Sequence, residues 1–142
     1  NIMNTMNVLI ENNYIPIINE NDTVATDEIK FGDNDKLSAL AASLLNVDVF
    51  IIATNTNGIY KKTSLDNPNK ETIKKTSNSE ALTEEVVNSK SVHGTGGMKT
   101  KIKAASIAQE ANIETWIVNG LQDNFIVDAL KNKSTFTKII LE

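Results

Sequence analysis

The chain has 142 residues, 40% of them hydrophobic, with 14 Lys and Arg against 18 Asp and Glu and a formal net charge of −4. That is enough apolar material for one modest core, while the acidic balance argues against a general nucleic-acid surface, which needs a basic face to neutralise phosphates. Cysteine is absent and His93 is the one histidine, which excludes a disulfide framework, a thiolate zinc site and a histidine metal cluster; no apolar run reaches the roughly 20 residues that span a bilayer.

Ile2, Met6, Leu9 and Ile10 repeat at helical spacing, so residues 2–13 are predicted helical and the chain is expected to begin partway into a domain. Tyr14-Ile15-Pro16-Ile17-Ile18 reads as a short buried strand, with Pro16 confined near its start. A polar loop then runs from Asn19-Glu20-Asn21-Asp22 to Phe31. Gly32-Asp33-Asn34-Asp35 opens a helix in which Leu37, Leu40, Ala41, Leu44 and Leu45 make one apolar stripe. Val47 to Ala53 reads as a strand buried on both faces, ended by the turn Asn55-Thr56-Asn57-Gly58.

Residues 61–78 are rich in Lys, Asn and Thr and contain Pro68; they are expected to be an exposed excursion with at most a short strand. Ser79 to Asn88 is predicted to be a short helix before the loop that carries His93. From Met98 the apolar positions Ile102, Ala105 and Ala108 keep helical spacing as far as Asn112. Ile113 to Val118 supplies a strand closed by Asn119-Gly120, Phe125 to Leu130 a helix, and Thr137 to Leu141 a last strand.

Strands alternating with helices predict βαβ crossovers and an α/β fold with a mainly parallel sheet covered on both faces. Neither an internal repeat nor a linker breaks the pattern, so residues 1–142 are expected to form one structural unit. In such folds ligands gather at the carboxyl ends of strands. Three polar clusters fall there: residues 19–22, Thr54-Asn55, and residues 95–101.

The last of these, Thr95-Gly96-Gly97-Met98-Lys99-Thr100-Lys101, suits a phosphate. Glycines let backbone N–H groups approach an anion, a helix start presents unpaired donors, and Lys99 and Lys101 add full charges. A glycine pair before a helix is equally a turn, and surface lysines need no ligand. Asp22, Asp33 and Asp35 could meet an ammonium group or a magnesium ion, or they could cap helices and close Asx-turns, as Asn34 could too. Thr54 and Asn55 fit a nucleotide or a plain strand end. His93 reads as a loop residue and Trp116 as core.

Ile15-Pro16-Ile17-Ile18-Asn19-Glu20-Asn21-Asp22, Phe31-Gly32-Asp33-Asn34-Asp35 with Leu37-Ser38-Ala39-Leu40, and Gly94-Thr95-Gly96-Gly97-Met98-Lys99-Thr100-Lys101 resemble glutamate 5-kinase in residues, order and spacing. The resemblance covers essentially the whole chain and implies the three-layer αβα sandwich of the amino-acid kinases. It implies transfer of the ATP γ-phosphoryl group to the side-chain carboxylate of L-glutamate, giving glutamyl 5-phosphate for proline biosynthesis in the cytoplasm. By the same resemblance Asp22 and Asn34 would bind glutamate, and Asp33 and Asp35 would shape that pocket. Thr54, Asn55 and residues Thr95, Gly96, Gly97, Met98, Lys99, Thr100 and Lys101 would hold the nucleotide. Lys101 would offset charge on the moving phosphoryl group, magnesium would bridge the phosphates, and a homo-oligomer is implied, with neither nucleic acid nor membrane as partner.

Two departures stand beside this resemblance. The family's usual Thr-Asp is here Thr54-Asn55, which removes a negative charge near the nucleotide. The family's N-terminal portion, with its first strand and phosphate loop, has no counterpart in the chain, nor has the RNA-binding-like domain that many members carry at the C-terminus. The chain is therefore expected to be the nucleotide-proximal part of the catalytic domain and to be inactive alone. The rival expectations are a noncatalytic nucleotide-binding or assembly module of the same fold, and a related kinase with another substrate.

Overall fold

The computed structural model describes residues 2–19, 34–87 and 95–141, with the backbone alone for Ile2, Val87, Thr95 and Gly96. Helix α1 (Ile2–Glu11) buries Met6 and leaves Val8 and Ile10 exposed. It ends at Asn13, whose φ of 61° is left-handed, and Tyr14 N closes the end by donating to Leu9 O at 2.9 Å. Asparagine tolerates this conformation better than other residues with a side chain. The same device follows α2 (Asn34–Leu45) at Asn46 and α4 (Thr95–Glu110) at Asn112.

The strand expected at residues 14–18 is not formed. A strand needs a neighbour to bond and a face to bury; no described strand pairs with this segment, and Ile15 and Ile17 stand 90% and 95% exposed. Helix α2 also corrects the expected stripe. Its buried residues are Ala39 and Ala42, while Leu40 and Leu44 face outward. The reason is its neighbour: α2 packs on α4, which presents Ala104, Ala105 and Ala108, and small side chains on both sides let two helices approach closely.

The sheet runs in the order β1 (Val49–Thr54), β3 (Glu114–Asn119), β4 (Thr137–Ile139), β2 (Lys75–Thr76). Strands β1 and β3 are parallel, as are β2 and β4, whereas β3 and β4 are antiparallel, so the mainly parallel sheet is mixed. Among the described strands β1 lies at an edge, and it buries Phe50 and Ile52 while Ala53 is exposed, so it is not the doubly buried strand its apolar run suggests. That description belongs to the inner strand β3, where Thr115, Trp116, Ile117 and Val118 are all buried.

Helices α2, α3 (Ser79–Val87) and α4 cover one face, joining Ala39, Leu82 and Ala105 to Phe50, Ile52 and Ile117. Helix α5 (Phe125–Leu130) covers the other through Ala129, with Trp116, Val118 and Phe136. This is the expected three-layer αβα sandwich. Among the described residues no helix is long and apolar enough to cross a membrane.

The excursion over residues 61–78 is more ordered than its composition suggests. A 3₁₀ turn (Lys62–Ser64) and an isolated bridge between Tyr60 and Thr72 shape it, and Lys61 pairs with Glu71. Lys62 N donates to the Glu85 carboxylate at 2.7 Å and so docks the excursion on α3. Backbone and hydroxyl bonds take the place of an apolar pattern here, which is why hydropathy does not reveal it.

One core position works against stability. Thr115 is fully buried, and its hydroxyl has no hydrogen-bond partner among the described residues, a situation that costs about 1–3 kcal/mol. Thr115→Val keeps the shape and the β-branch and removes the polar atom. It is expected to raise unfolding free energy by about 1 kcal/mol, read as a higher urea midpoint at unchanged slope; a lower midpoint would contradict the assignment.

Candidate active site

A helix that follows a loop and leads into a parallel strand runs opposite to that strand, so its N-terminus lies at the sheet edge where parallel strands end. α2 leads into β1 and α4 into β3. Asn34 and Asp35, the first turns of α4, and the carboxyl ends Thr54 and Asn119 of two paired strands therefore share one edge.

A single carboxylate ties the two helices together. Asp35 accepts from Lys101 Nζ at 3.1 Å on Oδ1 and 3.0 Å on Oδ2, and Oδ2 also accepts from the Thr100 hydroxyl at 2.8 Å. The Lys101 and Asp35 side chains are only 18% and 20% exposed, so their attraction is less screened than that of a surface pair. Beside them Asn34 Nδ2 donates to Asn19 Oδ1 at 3.0 Å, bringing the beginning of the first polar loop against the start of α2.

The glycine pair is placed differently from the sequence reading. Gly96 and Gly97 do not precede the helix but occupy its first turn, since α4 begins at Thr95. The first four N–H groups of a helix lack partners within it and carry its partial positive charge. A Cβ added to Gly97 would meet no described residue within 4 Å. Packing against the described residues therefore does not require glycine there, and they leave the bare backbone open to approach. Lys99 is exposed on the same turns.

At the end of β1, Thr54 O accepts from Gly120 N at 2.8 Å, locking the two strand ends together. Asn55 is exposed beside them. The sequence reading missed a cluster at this point. Asn57 Oδ1 accepts from Asn119 Nδ2 at 2.9 Å and from Gln122 Nε2 at 3.3 Å. Asn57 lies more than sixty positions from the other two, and the clue in the sequence is that two Asn-Gly turns follow the two strands that pair in parallel. Tyr60 adjoins the cluster, its hydroxyl accepting from Asn57 N at 3.2 Å.

Of the residues expected at the site, Asn34, Asp35, Thr100 and Lys101 are brought together, and Thr54 and Asn55 lie on the same edge. Thr95, Gly96, Gly97, Met98 and Lys99 lie in the first turns of α4, with Met98 against the main core. Asp22, Asp33 and the loop residue His93 lie outside the described residues. Among the described residues no group of three or more His, Asp or Glu side chains gathers as a metal would require.

An α/β sandwich that collects two helix N-termini, a lysine and two strand ends on one edge belongs to the class of anion- and nucleotide-binding folds. The chain belongs to the amino acid kinase family, whose sequence profile matches residues 1–119. It is similar to a glutamate 5-kinase of Hydrogenovibrio crunogenus, 42% identical over 141 residues that make up 99% of this chain and 38% of the relative. A glutamate 5-kinase of Escherichia coli is 44% identical over 138 residues, 96% of this chain and again 38% of the relative. The chain thus spans well under half the length of these relatives.

Among solved structures, a UMP kinase from Ureaplasma parvum aligns with TM-score 0.66 and 24% identity over 99% of this chain and 53% of that one. A carbamate kinase from Giardia lamblia bound to AMP-PNP gives the same TM-score and identity over 99% of this chain and 44% of the other. Both confirm the fold.

Proposed function

We propose that this chain supplies the nucleotide-proximal part of a kinase that phosphorylates the side-chain carboxylate of L-glutamate with ATP, forming glutamyl 5-phosphate for proline biosynthesis. The observation that carries the reading is the cross-link from Asp35 to Lys101 and Thr100, because it joins the helix start of the acceptor-side motif to that of the phosphate-side motif. The identity to curated glutamate 5-kinases supports the choice of substrate.

On this reading the exposed first turn of α4 receives the phosphates of ATP, and Lys101 stands where charge builds up on the γ-phosphoryl group. Asp35 holds the lysine by two carboxylate contacts, so the cation is placed before substrates arrive and little reorganisation is needed. Asn34, with Asp22 and Asp33 of the same motifs, orients glutamate. A carboxylate oxygen of glutamate attacks the γ-phosphorus, the bond to the bridging oxygen of ADP breaks, and ADP leaves. The acceptor is already ionised, so no protein base or nucleophile is required. Magnesium would be carried on the phosphate oxygens and would spread their charge; the described side chains offer it no cluster of their own.

Gly97 gives a test that separates ligand from fold. Gly97→Ala is expected to leave stability unchanged or raise it by up to about 1 kcal/mol, since alanine favours a helix and the space is open. The same change is expected to weaken ATP binding several-fold by placing a methyl group over the first-turn N–H groups. Titration calorimetry beside urea unfolding reads both quantities, and unaltered ATP affinity would remove Gly97 from the site.

A further inference from the structure

We infer that Asn57 is a site of spontaneous deamidation, singled out by the fold from the other Asn-Gly pair of the chain. The sequence has two such pairs, Asn57-Gly58 and Asn119-Gly120. Glycine has no Cβ to crowd its nitrogen, which can therefore close on the side-chain carbonyl carbon of the asparagine before it. A bond forms from the glycine nitrogen to Cγ, the N–H proton passes to water or hydroxide, and ammonia leaves with Nδ2. Water then opens the five-membered imide at either carbonyl, leaving aspartate or isoaspartate where asparagine stood.

The two pairs are held in opposite ways. Gly120 N donates to Thr54 O at 2.8 Å, and that bond must break before the nitrogen can attack. The Asn119 amide is committed at both ends, with Nδ2 donating to Asn57 Oδ1 at 2.9 Å and Oδ1 accepting from Leu121 N at 3.0 Å. At Asn57-Gly58 the reacting groups are the ones left over. Asn57 N donates to the Tyr60 hydroxyl, Asn57 O accepts from Thr72 Oγ1 at 2.9 Å, and Gly58 O accepts from Thr56 Oγ1 at 2.8 Å. Gly58 N, the nucleophile, and Asn57 Nδ2, the leaving group, are bonded to no described residue.

The carbon under attack is also activated. Asn57 Oδ1 accepts from Asn119 Nδ2 and from Gln122 Nε2, the latter at 3.3 Å. Two N–H donors on a carbonyl oxygen stabilise the negative charge that gathers there as a nucleophile adds, in the manner of an oxyanion hole. Attacking nitrogen and receiving carbon are neighbours along the chain, so no distant segment has to be brought up. The product places a carboxylate among three side-chain amides that carry no charge, beside the carboxyl ends of β1 and β3.

Ageing the full chain in mildly alkaline buffer tests this, with peptide mapping by mass spectrometry to read conversion at residues 57 and 119 and a parallel sample held unfolded in urea. Unfolded, the two pairs are expected to convert at similar rates, because the same dipeptide reacts in both. Folded, Asn57 should convert about tenfold faster than Asn119, the size of the one hydrogen bond that guards Gly120 N. Gln122 is exposed, and Gln122→Ala should slow Asn57 about threefold in the folded protein while leaving its rate in urea unchanged. Equal rates in the fold, faster conversion at Asn119, or an Asn57 that stays intact while both pairs convert in urea would overturn the inference. An undiminished rate at Asn57 in folded Gln122→Ala would overturn the activation by its neighbours.

Discussion

Gly58→Ala is expected to cost the fold about 3 kcal/mol or more, combining a strained conformation with a steric clash. Gly58 has a φ of 85°, where a side chain is disfavoured, and it is buried against β4. A Cβ built there would lie 2.6 Å from Thr137 N and 3.1 Å from the Phe136 carbonyl carbon. These are backbone atoms at the start of β4 and cannot swing aside. Ile59 N donates to the buried Thr137 hydroxyl at 2.8 Å, so the clash would also part the loop after β1 from the sheet. Urea unfolding measures the loss, and a cost below about 1 kcal/mol would mean that the loop packs differently.

Lys101→Ala is expected to have the largest effect on chemistry, lowering glutamate-dependent phosphoryl transfer about a thousandfold in a catalytically complete protein. Two consequences combine. The cation that would face the moving phosphoryl group is gone, and the Asp35 carboxylate loses the ammonium group that both its oxygens contact. Asp35→Asn separates the two, because it spares the lysine and removes its anchor. It is expected to reduce turnover less than Lys101→Ala while loosening the link between α2 and α4. Rapid-quench measurement of ADP formation with saturating ATP and glutamate distinguishes them; equal turnover in the parent and Lys101→Ala would exclude the role assigned to the lysine.

Much of this architecture was readable from local pattern. The helix expected from Phe125 to Leu130 has those bounds, and the strand expected over 113–118 forms at 114–119, because each rests on an uninterrupted local signal. Partner-dependent features were not readable. Tyr14 to Ile18 has the composition of a buried strand yet has no described strand beside it. The leucine stripe of α2 looked like its buried face, but the alanines of α4 select Ala39 and Ala42 instead.

The same distinction holds at the site. The motifs at residues 34–35 and 95–101 could be placed near one edge because each lies at a helix start. That Asp35 would accept from both Thr100 and Lys101, 65 and 66 positions away in sequence, depends on the packing of α2 on α4. The amide cluster was missed for a similar reason. Asn57 belongs to what reads as an ordinary turn, and it meets Asn119 and Gln122 only because β1 and β3 pair side by side.

The central claim is that the chain carries the phosphate-side machinery of a glutamate kinase, and a chimera tests it most directly. In this protein the matched 141 residues replace the corresponding stretch of the Hydrogenovibrio crunogenus relative. Purified chimera is incubated with ATP, magnesium, L-glutamate and hydroxylamine, and the acyl hydroxamate is quantified. Hydroxamate that depends on ATP and glutamate, and that falls about a thousandfold with Lys101→Ala, is the predicted result. A folded chimera that binds ATP yet forms no hydroxamate from glutamate would contradict the account.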